Sequence, residues 1–392
     1  FYGYSIIPKM KAKIRRLLVQ LGRIICLTLL LSCSTDQKIE AGLPQEEVAN
    51  EVGLKTINTN MFVGSTIAPD FNNQRYISIP KKEFNAGQAL FYAGFGGWPD
   101  AGVLNLDNFN SVINWMDKYG LSSQVHMLVG PNFYMPEWLK AGTWTNEELE
   151  NHLRNLIYGI MDSNQNAQKV DVWNVINEVF NQDGSYVGDN EMVWNQLGWE
   201  DDASRLEGEE KLNERHPVFI RKAFDFARDK TDKMLEYRDY LIESSDPNFG
   251  WDKKQTAVFQ LISHMQNSDI PIDAVGIQGH HDIGNIDWVI GENGIKEAVQ
   301  KFKNLGIEVH ITEFDVGSGD RDWSTELAEQ QSDDYRVYIK EAIEGGAKRI
   351  YTWGFQDGRD KGWRTNEHPL PWDEDLDKKP AYYGLRQALE DT

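Results

Sequence analysis

Two acidic segments carry the side chains best suited to acid–base chemistry. Glu178 follows the apolar run 172–177, and Glu313 lies two residues before Asp315 at the end of another apolar run. Opposed carboxylates cleave glycosidic bonds, because one protonates the leaving oxygen while the other stabilises or attacks the anomeric carbon. Each Glu alone is a weak signal, so the prediction depends on their neighbours and on a fold that makes them face each other.

A histidine supports the interpretation of Glu313 as a nucleophile. Residues i and i+2 of an extended segment point to the same side, so Glu313 and Asp315 are expected to share a face. His280 ends a neighbouring predicted strand and is expected to lie between these two carboxylates. An imidazole in that place would hold Glu313 ionised and correctly aimed, as a nucleophile requires.

Glu178 requires the opposite ionisation state. A general acid must be protonated when catalysis begins, which calls for a raised pKa. Apolar walls from Trp173 and Trp353 are expected to raise the pKa of Glu178. Asn177, directly before it, is expected to donate its amide to a sugar 2-hydroxyl. The tryptophans predicted to contact sugar are Trp353 and Trp363, followed by Trp98 and Trp138.

These side chains must be positioned by a repeating pattern of strands and helices. From residue 59 onward, short apolar or β-branched runs alternate with longer amphipathic segments, which indicates a parallel sheet. The predicted strands are Met61–Ser65, Ala89–Gly94, Gln124–Val129, Asp171–Asn177, Met234–Tyr240, Ala274–Gly279, Glu308–Phe314 and Arg349–Trp353. The predicted helices are Leu106–Tyr119, Asn146–Met161, Pro217–Lys230, Lys254–Asn267, Ile295–Asn304 and Leu327–Glu344.

Eight such units predict an α/β protein with a single (β/α)8 TIM barrel, in which chemistry takes place at the carboxyl ends of the strands. The alternative is a doubly wound open sheet. That fold usually has a glycine-rich phosphate loop after its first strand, and residues 63–68 do not form one.

Composition excludes several classes of function. Lys and Arg number 40 against 61 Asp and Glu, giving a formal charge of −21, whereas nucleic acid requires a basic face. Two Cys cannot form a disulfide framework or a four-cysteine zinc site. With no HExxH spacing either, we expect no metal and no cofactor. His126 and His310 are predicted to be core histidines. The acidic residues 200–202 and 207–210 are predicted to form a solvated loop face.

The N-terminal segment is typical of an export signal. Residues 1–32 contain basic but no acidic side chains, and an apolar run begins at Ile24, which is the pattern of a signal peptide. Ser32 and Cys33 then resemble a bacterial lipobox with Cys33 as the lipidated residue, although an ordinary signal peptide is the alternative. We predict a lipoprotein signal over 1–33, a polar tether over 34–58 and the catalytic domain over 59–392. The mature protein is expected to be an exported monomer that is attached to the membrane only through its lipid. It is expected at the outer membrane or cell surface, with the periplasmic face as the alternative.

Five motifs together resemble glycoside hydrolase family 10, the family of many β-1,4-xylanases. They are Val172-Trp-Asn-Val-Ile-Asn-Glu178, Val275-Gly-Ile-Gln-Gly-His280, Ile311-Thr-Glu-Phe-Asp315, Tyr351-Thr-Trp-Gly354 and Lys379-Pro-Ala-Tyr-Tyr-Gly-Leu385. The resemblance covers roughly residues 59–391 and implies a retaining mechanism through a covalent glycosyl-enzyme. It implies Glu178 as acid/base and Glu313 as nucleophile, with Asp315 supporting His280. The residues implied to line the −1 subsite are Asn177, Gln278 and His280.

The departures from the family pattern are concentrated on the glycone side. The family's second strand normally carries Glu, Asn and Lys that bind the −2 sugar. In this chain those positions fall among small or apolar residues, namely Ala89, Leu90, Phe91, Ala93 and Gly94. Gly130 and Pro131 replace the usual Trp-His of the third strand, and Arg238 stands where an Asn is usual in the fifth. We therefore expect the −1 chemistry to be retained and the −2 preference to differ from that for plain xylan.

Three functional hypotheses remain at this point. The first is a lipid-anchored, endo-β-1,4-xylanase-like glycosidase acting on a plant or algal polysaccharide. The second is a surface glycan-binding lipoprotein with the same barrel and little turnover. The third is the same mechanism acting on a non-xylan β-glycan. Because binding alone does not require both Glu178 and Glu313, their presence favours an enzyme.

Overall fold

The computed structural model describes residues 51–206, 208, 210–248, 250–359 and 363–392. The predicted signal peptide with Cys33, and residues 34–50 of the predicted tether, lie outside this part. Residues 52–392 form one compact unit. A search of the described helices finds none with the length and apolar character needed to cross a membrane.

Eight parallel strands form the central sheet of the described residues. They are β1 (Phe62–Ser65), β2 (Ala86–Leu90), β3 (Ser122–His126), β4 (Val172–Asn177), β7 (Met234–Asp239), β8 (Ala274–Ile277), β10 (Glu308–Gly317) and β11 (Arg349–Thr352). Their order is β1-β11-β10-β8-β7-β4-β3-β2. The Ile67 amide donates to the Gln88 carbonyl at 2.9 Å, so β1 meets β2 and the sheet closes into the predicted (β/α)8 barrel.

Three short strands lie outside this ring. β5 (Trp199–Asp201) and β6 (Arg215–Pro217) form an antiparallel hairpin, and β9 (His280–Asp282) pairs with the end of β10. The helices of the described residues are α1 (Gln74–Glu83), α2 (Asp107–Tyr119), α3 (Glu137–Lys140), α4 (Asn146–Asp162), α5 (Asn166–Lys169), α6 (Val218–Arg228), α7 (Asp252–Asn267), α8 (Ile295–Lys303), α9 (Thr325–Gly345) and α10 (Pro380–Glu390).

The second strand lies earlier than predicted. The apolar run continues to Ala93, but the chain leaves the sheet after Leu90 and turns through a 3-10 helix at Ala93–Phe95. Gly96 ends that turn at φ 90°, a conformation that glycine adopts without strain. The third strand likewise begins at Ser122 rather than at Gln124. The other six strands match their predictions within one residue at the start and three at the end.

The catalytic domain begins before the predicted residue 59. Leu54 is fully buried, and its amide donates to Glu83 Oε2 at 3.0 Å. The Tyr382 hydroxyl of α10 donates to the same oxygen at 3.1 Å. Residues from Leu54 onward therefore belong to the barrel, and Glu83, at the end of α1, joins both ends of the domain.

Candidate active site

The predicted reactive side chains meet at the carboxyl ends of the barrel strands. Glu178 follows β4, Gln278 follows β8, and Trp353 follows β11. Glu313 lies in β10, which continues three residues beyond the predicted end and pairs there with β9. This pairing places Asp315 opposite His280. The parallel barrel brings these side chains to one face, where its chemistry is expected.

Glu178 lies on a left-handed turn and is half-buried. Its φ is 56°, and the chain leaves the barrel at this residue, directly after β4 ends at Asn177. Gln278 Nε2 donates to Glu178 Oε1 at 2.7 Å. Burial raises the pKa of Glu178, and the charges of Asp239 and Glu313 raise it further against that hydrogen bond. Glu178 is therefore suited to hold a proton that it later donates.

His280 bridges the two carboxylates of β10, as its sequence position predicts. His280 Nδ1 lies 3.0 Å from Asp315 Oδ2, and Nε2 lies 3.2 Å from Glu313 Oε2. Burial disfavours the imidazolium, but the charges and hydrogen bonds of both carboxylates raise the pKa of His280 to about 10. The ring is thus a cation at neutral pH and donates to both partners.

Arg238 is a neighbour of Glu313 that the sequence did not predict. Its side chain is fully buried, and Nη1 donates to Glu313 Oε1 at 3.0 Å. The same Nη1 lies 3.0 Å from His126 Nδ1, so His126 is a buried core residue, as predicted, that also borders the site. The available signal was a basic residue at a barrel-strand position where an Asn is usual.

The ionisation of Glu313 is opposite to that of Glu178. Burial pushes its pKa upward, but interactions with His126, His280 and Arg238 outweigh this and lower it to about 2. Burial also lowers the pKa of His126 to about 4, so this ring is neutral at pH 7. Arg238 and His280 therefore keep Glu313 a carboxylate at neutral pH.

The remaining predicted sugar contacts lie around this pair. Asn177 is fully buried, and its Nδ2 makes no hydrogen bond within the described residues, which leaves a donor for a ligand. The Trp353 ring is 5.2 Å from His126 and 6.2 Å from His280. Trp363 is 39% exposed and donates from Nε1 to Asp315 Oδ2 at 2.8 Å, so it also orients that carboxylate.

Two of the weaker tryptophan candidates differ from expectation. Trp98 is buried, only 1% exposed, and packs against Trp138 at a ring separation of 4.7 Å. The indole N–H of Trp138 donates to the Trp98 carbonyl at 3.0 Å. Both rings are occupied with protein packing, so we assign neither to sugar binding.

One group of possible metal ligands occurs in the described residues, away from Glu178 and Glu313. Potential ligand atoms of Asp202, His216 and His264 all lie within 4.8 Å of one another. These atoms already pair with protein groups: His216 Nε2 lies 2.7 Å from Asp202 Oδ1, and His264 Nδ1 accepts from the Ala203 amide at 3.0 Å. Asp202 is therefore a buried anchor between the β5–β6 hairpin and α7. The prediction that residues 200–202 form a solvated loop face was wrong for Asp202.

The sequence matches a family model over almost the whole barrel. The model described as Glycosyl hydrolase family 10 matches residues 54–388. The chain belongs to this family. It is therefore a glycoside hydrolase, and the predicted resemblance is confirmed.

Family 10 relatives align along most of this chain. Endo-1,4-beta-xylanase B of Thermotoga neapolitana is 26% identical over 85% of this chain and 89% of its own length. An endo-1,4-beta-xylanase of Agaricus bisporus is 28% identical, covering 73% of this chain and 77% of its own. Xylanase 10B of Thermotoga petrophila, solved with xylobiose, superimposes with a TM-score of 0.71 at 24% identity, covering 89% of this chain and 99% of that one. This last similarity supports the fold.

Residues 89–94 and 130–131, at which the sequence departs from the family 10 pattern, include or adjoin a partly exposed group of aromatic rings. Tyr92 and Tyr134 stack at 5.4 Å, and Phe95 and Phe133 meet edge to face at 5.5 Å. Phe95 is 62% exposed and Phe133 71%. We call these four residues the aromatic platform. Tyr92 also lies 5.8 Å from His126, so the platform is continuous with the surroundings of Glu313.

Proposed function

We propose that this family 10 glycoside hydrolase cleaves internal β-1,4 bonds of xylan or a closely related β-glycan. The observation that carries the proposal is that Glu178 and Glu313 lie at one face of the barrel with different partners, a neutral amide for Glu178 and two cationic donors for Glu313. Glu178 has a raised pKa and Glu313 a lowered one, which is the division of labour that retaining glycosidases require. The aligned xylanases support xylan as the substrate class.

In this proposal the reaction has two steps. Glu313 attacks the anomeric carbon while Glu178 gives its proton to the leaving glycosidic oxygen, which forms a covalent glycosyl-enzyme. Water then attacks the same carbon, Glu178 takes the proton of the water, and the bond to Glu313 breaks. Asn177 Nδ2 donates to the 2-hydroxyl of the bound sugar, while Gln278 and His280 keep the two carboxyl groups in place.

Product analysis on soluble β-1,4-xylan tests this function, with Glu313→Gln as the blank. We expect short oligosaccharides from the intact protein and none from the variant. Cleavage of a different β-glycan with xylan untouched would replace the substrate in the proposal. Glycan binding without any cleavage would favour the glycan-binding alternative and overturn the enzymatic function.

The glycone side supports a narrower proposal about substrate preference. Polar groups that normally bind the −2 sugar are replaced here, and the aromatic platform offers stacking surfaces instead. We infer that sugar rings are held there mainly by apolar contact, so added substituents on the sugar are tolerated. Phe133→Ala should raise KM for xylo-oligosaccharides severalfold with little change in kcat. Val103→Ala, at a residue 52% exposed outside the platform, is the matched control, and an equal KM in Phe133→Ala and the parent protein would contradict the inference.

We also propose that the protein is an exported bacterial lipoprotein that acts as a monomer at the outer membrane or cell surface. The support is the basic and apolar pattern of residues 1–32 and the small residue before Cys33. Metabolic labelling with a fatty acid should mark the protein in bacterial membranes. Cys33→Ala should abolish the label, and equal labelling of both forms would exclude lipidation at this residue.

A further inference from the structure

A row of alternating charges runs through the floor of the site. Arg238 lies between Glu236 and Glu313, and His280 lies between Glu313 and Asp315. Arg364 continues the row, with Nε 3.2 Å from Asp315 Oδ1. Every member has a neighbour of opposite sign, so the low-dielectric interior holds these charges as pairs. Glu313 has a cationic donor on each of its two oxygens.

Arg238 is held rigidly from the side away from Glu313. Glu236 Oε1 accepts from Arg238 Nε at 3.0 Å and from Nη2 at 2.8 Å. The other oxygen of Glu236 accepts from Gln124 Nε2 at 2.8 Å and lies 2.6 Å from His310 Nδ1. Glu236 is fully buried. A planar guanidinium whose Nε–H and Nη2–H both donate to one carboxylate oxygen presents its remaining N–H groups in a fixed direction.

The backbone next to Arg238 leaves the space that its side chain occupies. A Cβ on Gly276 of β8 would lie 3.0 Å from Glu236 Oε1, 3.1 Å from Arg238 Cγ and 2.8 Å from the Thr312 methyl group. The neighbouring strand therefore accommodates the pair only without a side chain at residue 276. Strands β3, β8 and β10 thus each place a residue next to the Arg238 side chain, namely His126, Gly276 and Glu313.

We propose that Arg238 is a positioning residue for the nucleophile: pinned by Glu236, it holds one oxygen of Glu313 while His280 holds the other, and it stabilises the carboxylate as it departs from the sugar in the second step. This inference rests on the proposed function for its chemistry but on the geometry of Arg238 for its evidence. It concerns a residue in which this chain differs from its family's usual pattern.

The chemical consequence follows from the charge on Glu313 in each step. In the first step the carboxylate loses its negative charge as its oxygen bonds to the anomeric carbon and the glycosidic C–O bond breaks. In the second step the C–O bond to Glu313 breaks, and its electron pair returns to the carboxylate while Glu178 accepts the proton of the attacking water. A fixed cation opposes the first change and favours the second. Arg238 therefore makes Glu313 a weaker nucleophile and a better leaving group.

Several ionisable groups face Glu313 and must be separated from Arg238 in any test. His280 on β9 and Asp315 on β10 act through one oxygen, while His126 at the end of β3 lies 3.5 Å from the other. Glu178 and Tyr134 interact with it electrostatically across the site. Among the described residues, Arg238 alone is a permanent cation in direct contact with Glu313, so its replacement isolates that charge.

A direct titration of Glu313 tests the proposal without any substrate. Infrared difference spectra of protein labelled with 13C-glutamate, with Glu313→Gln as the reference, report when this carboxyl protonates. Arg238→Asn should move its protonation upward by at least about one pH unit, since an adjacent opposite charge typically shifts a carboxyl by one to three. Arg349→Asn, at another buried strand arginine that contacts Ser122 instead, should leave it unchanged. An unshifted Glu313 in folded Arg238→Asn would overturn the proposal.

Kinetics on a dinitrophenyl β-xylobioside provide the second measurement. With this activated leaving group the first step is fast, so kcat reports the departure of Glu313 and kcat/KM reports its attack. Arg238→Asn should lower kcat about tenfold, the rate equivalent of about one pKa unit, while kcat/KM falls less or rises. Equal losses in both constants would contradict a role in the second step. A parent protein that cleaves no xyloside would refute xylan as the substrate, and the titration would still decide the role of Arg238.

Arg238→Asn leaves Glu236 with fewer partners and could unfold the protein. The double variant Glu236→Gln/Arg238→Gln removes both charges together and is the substitute, because replacing a buried ion pair as a unit costs far less than breaking it. The same upward shift of Glu313 is expected in the double variant. An unshifted Glu313 there would equally overturn the proposal.

Discussion

The pKa values of Glu178 and Glu313 differ because each carboxyl group has different atoms within hydrogen-bonding distance. Glu178 receives a neutral amide donor from Gln278, and burial together with nearby negative charge outweighs this donor and the charge of Lys254. Glu313 receives Arg238 on one oxygen and His280 on the other. The same side-chain type thus serves as acid in one place and as anion in the other, through environment alone.

At the residue scale, Glu178→Gln tests the acid role. The amide keeps the hydrogen bond with Gln278 but supplies no proton, so xylan cleavage should fall by about 10²- to 10⁴-fold. Substrates with an activated aryl leaving group need less protonation and should lose far less in the first step. In the intact protein, activity should decline as pH rises through the raised pKa of Glu178. Equal losses on xylan and on the aryl substrate would argue against Glu178 as the acid.

His280 provides a prediction about stability and pH. The folded-state pKa is about 10, above the ordinary value of 6.5. Its contribution to the free energy of unfolding is therefore fully present below pH 6.5 and is lost as pH rises toward 10. Denaturant unfolding at pH 6.5 and pH 10 should show a larger loss in the parent protein than in His280→Gln. Identical losses in the two proteins would show that His280 does not carry this linkage.

Several elements are visible in the sequence because their periodicity is undisturbed. The six residues of β4 are all buried, and this strand reads as a continuous run of large side chains ending at Asn177. α4 is marked by the capping box of Thr145 and Glu148 and by its amphipathic pattern. The end of β2 was predicted too late because Phe91 and Ala93 extend its apolar run while the chain already turns into a 3-10 helix.

Some residues of the site could be predicted from the sequence, whereas one of their contacts could not. Glu178, Glu313 and His280 lie at strand ends, where position along the chain implies position in the barrel. The contact between Arg238 and Glu313 spans 75 residues and depends on the packing of β7 across the barrel interior, which no local pattern encodes. The ionisation of Glu313 was therefore anticipated from His280, while its second cationic partner was not.

At the element scale, Gly276→Ala tests how tightly β8 packs against β7 and β10. The added methyl group would crowd Thr312, Glu236 and Arg238 at 3.1 Å or less. Overpacking of this kind destabilises by about 1–3 kcal/mol, and we expect reduced activity because Arg238 must move. Gly188→Ala, whose Cβ would meet nothing within 4 Å, is the matched control. Unchanged thermal unfolding and activity in Gly276→Ala would indicate that the strand yields freely.

At the scale of the whole molecule, charge restricts the class of glycan. The formal charge of −21 repels polyanionic polysaccharides at long range and does not repel uncharged ones. A substrate with few acidic substituents is therefore expected to bind with weak dependence on salt.

The closure of the domain depends on Glu83. This carboxylate is 2% exposed and accepts from the Leu54 amide and the Tyr382 hydroxyl, which lie near opposite ends of the barrel sequence. Glu83→Ala should lower the free energy of unfolding by about 1–3 kcal/mol for each donor left unpaired. Glu83→Gln, which retains an acceptor oxygen, should lose less. Denaturant unfolding measures both, and equal stability of Glu83→Ala and the parent would contradict this role.

The position of Glu83 also determines how the enzyme can meet a solid or polymeric substrate. Glu83 lies just before β2, at the amino ends of the strands, whereas Glu178 and Glu313 open at their carboxyl ends. Any attachment that reaches the barrel through Leu54 therefore joins it on the side opposite Glu178 and Glu313. If the enzyme is immobilised through the amino ends of its strands, the face with Glu178 and Glu313 points away from the point of attachment. A long glycan chain can then bind and dissociate without passing that point.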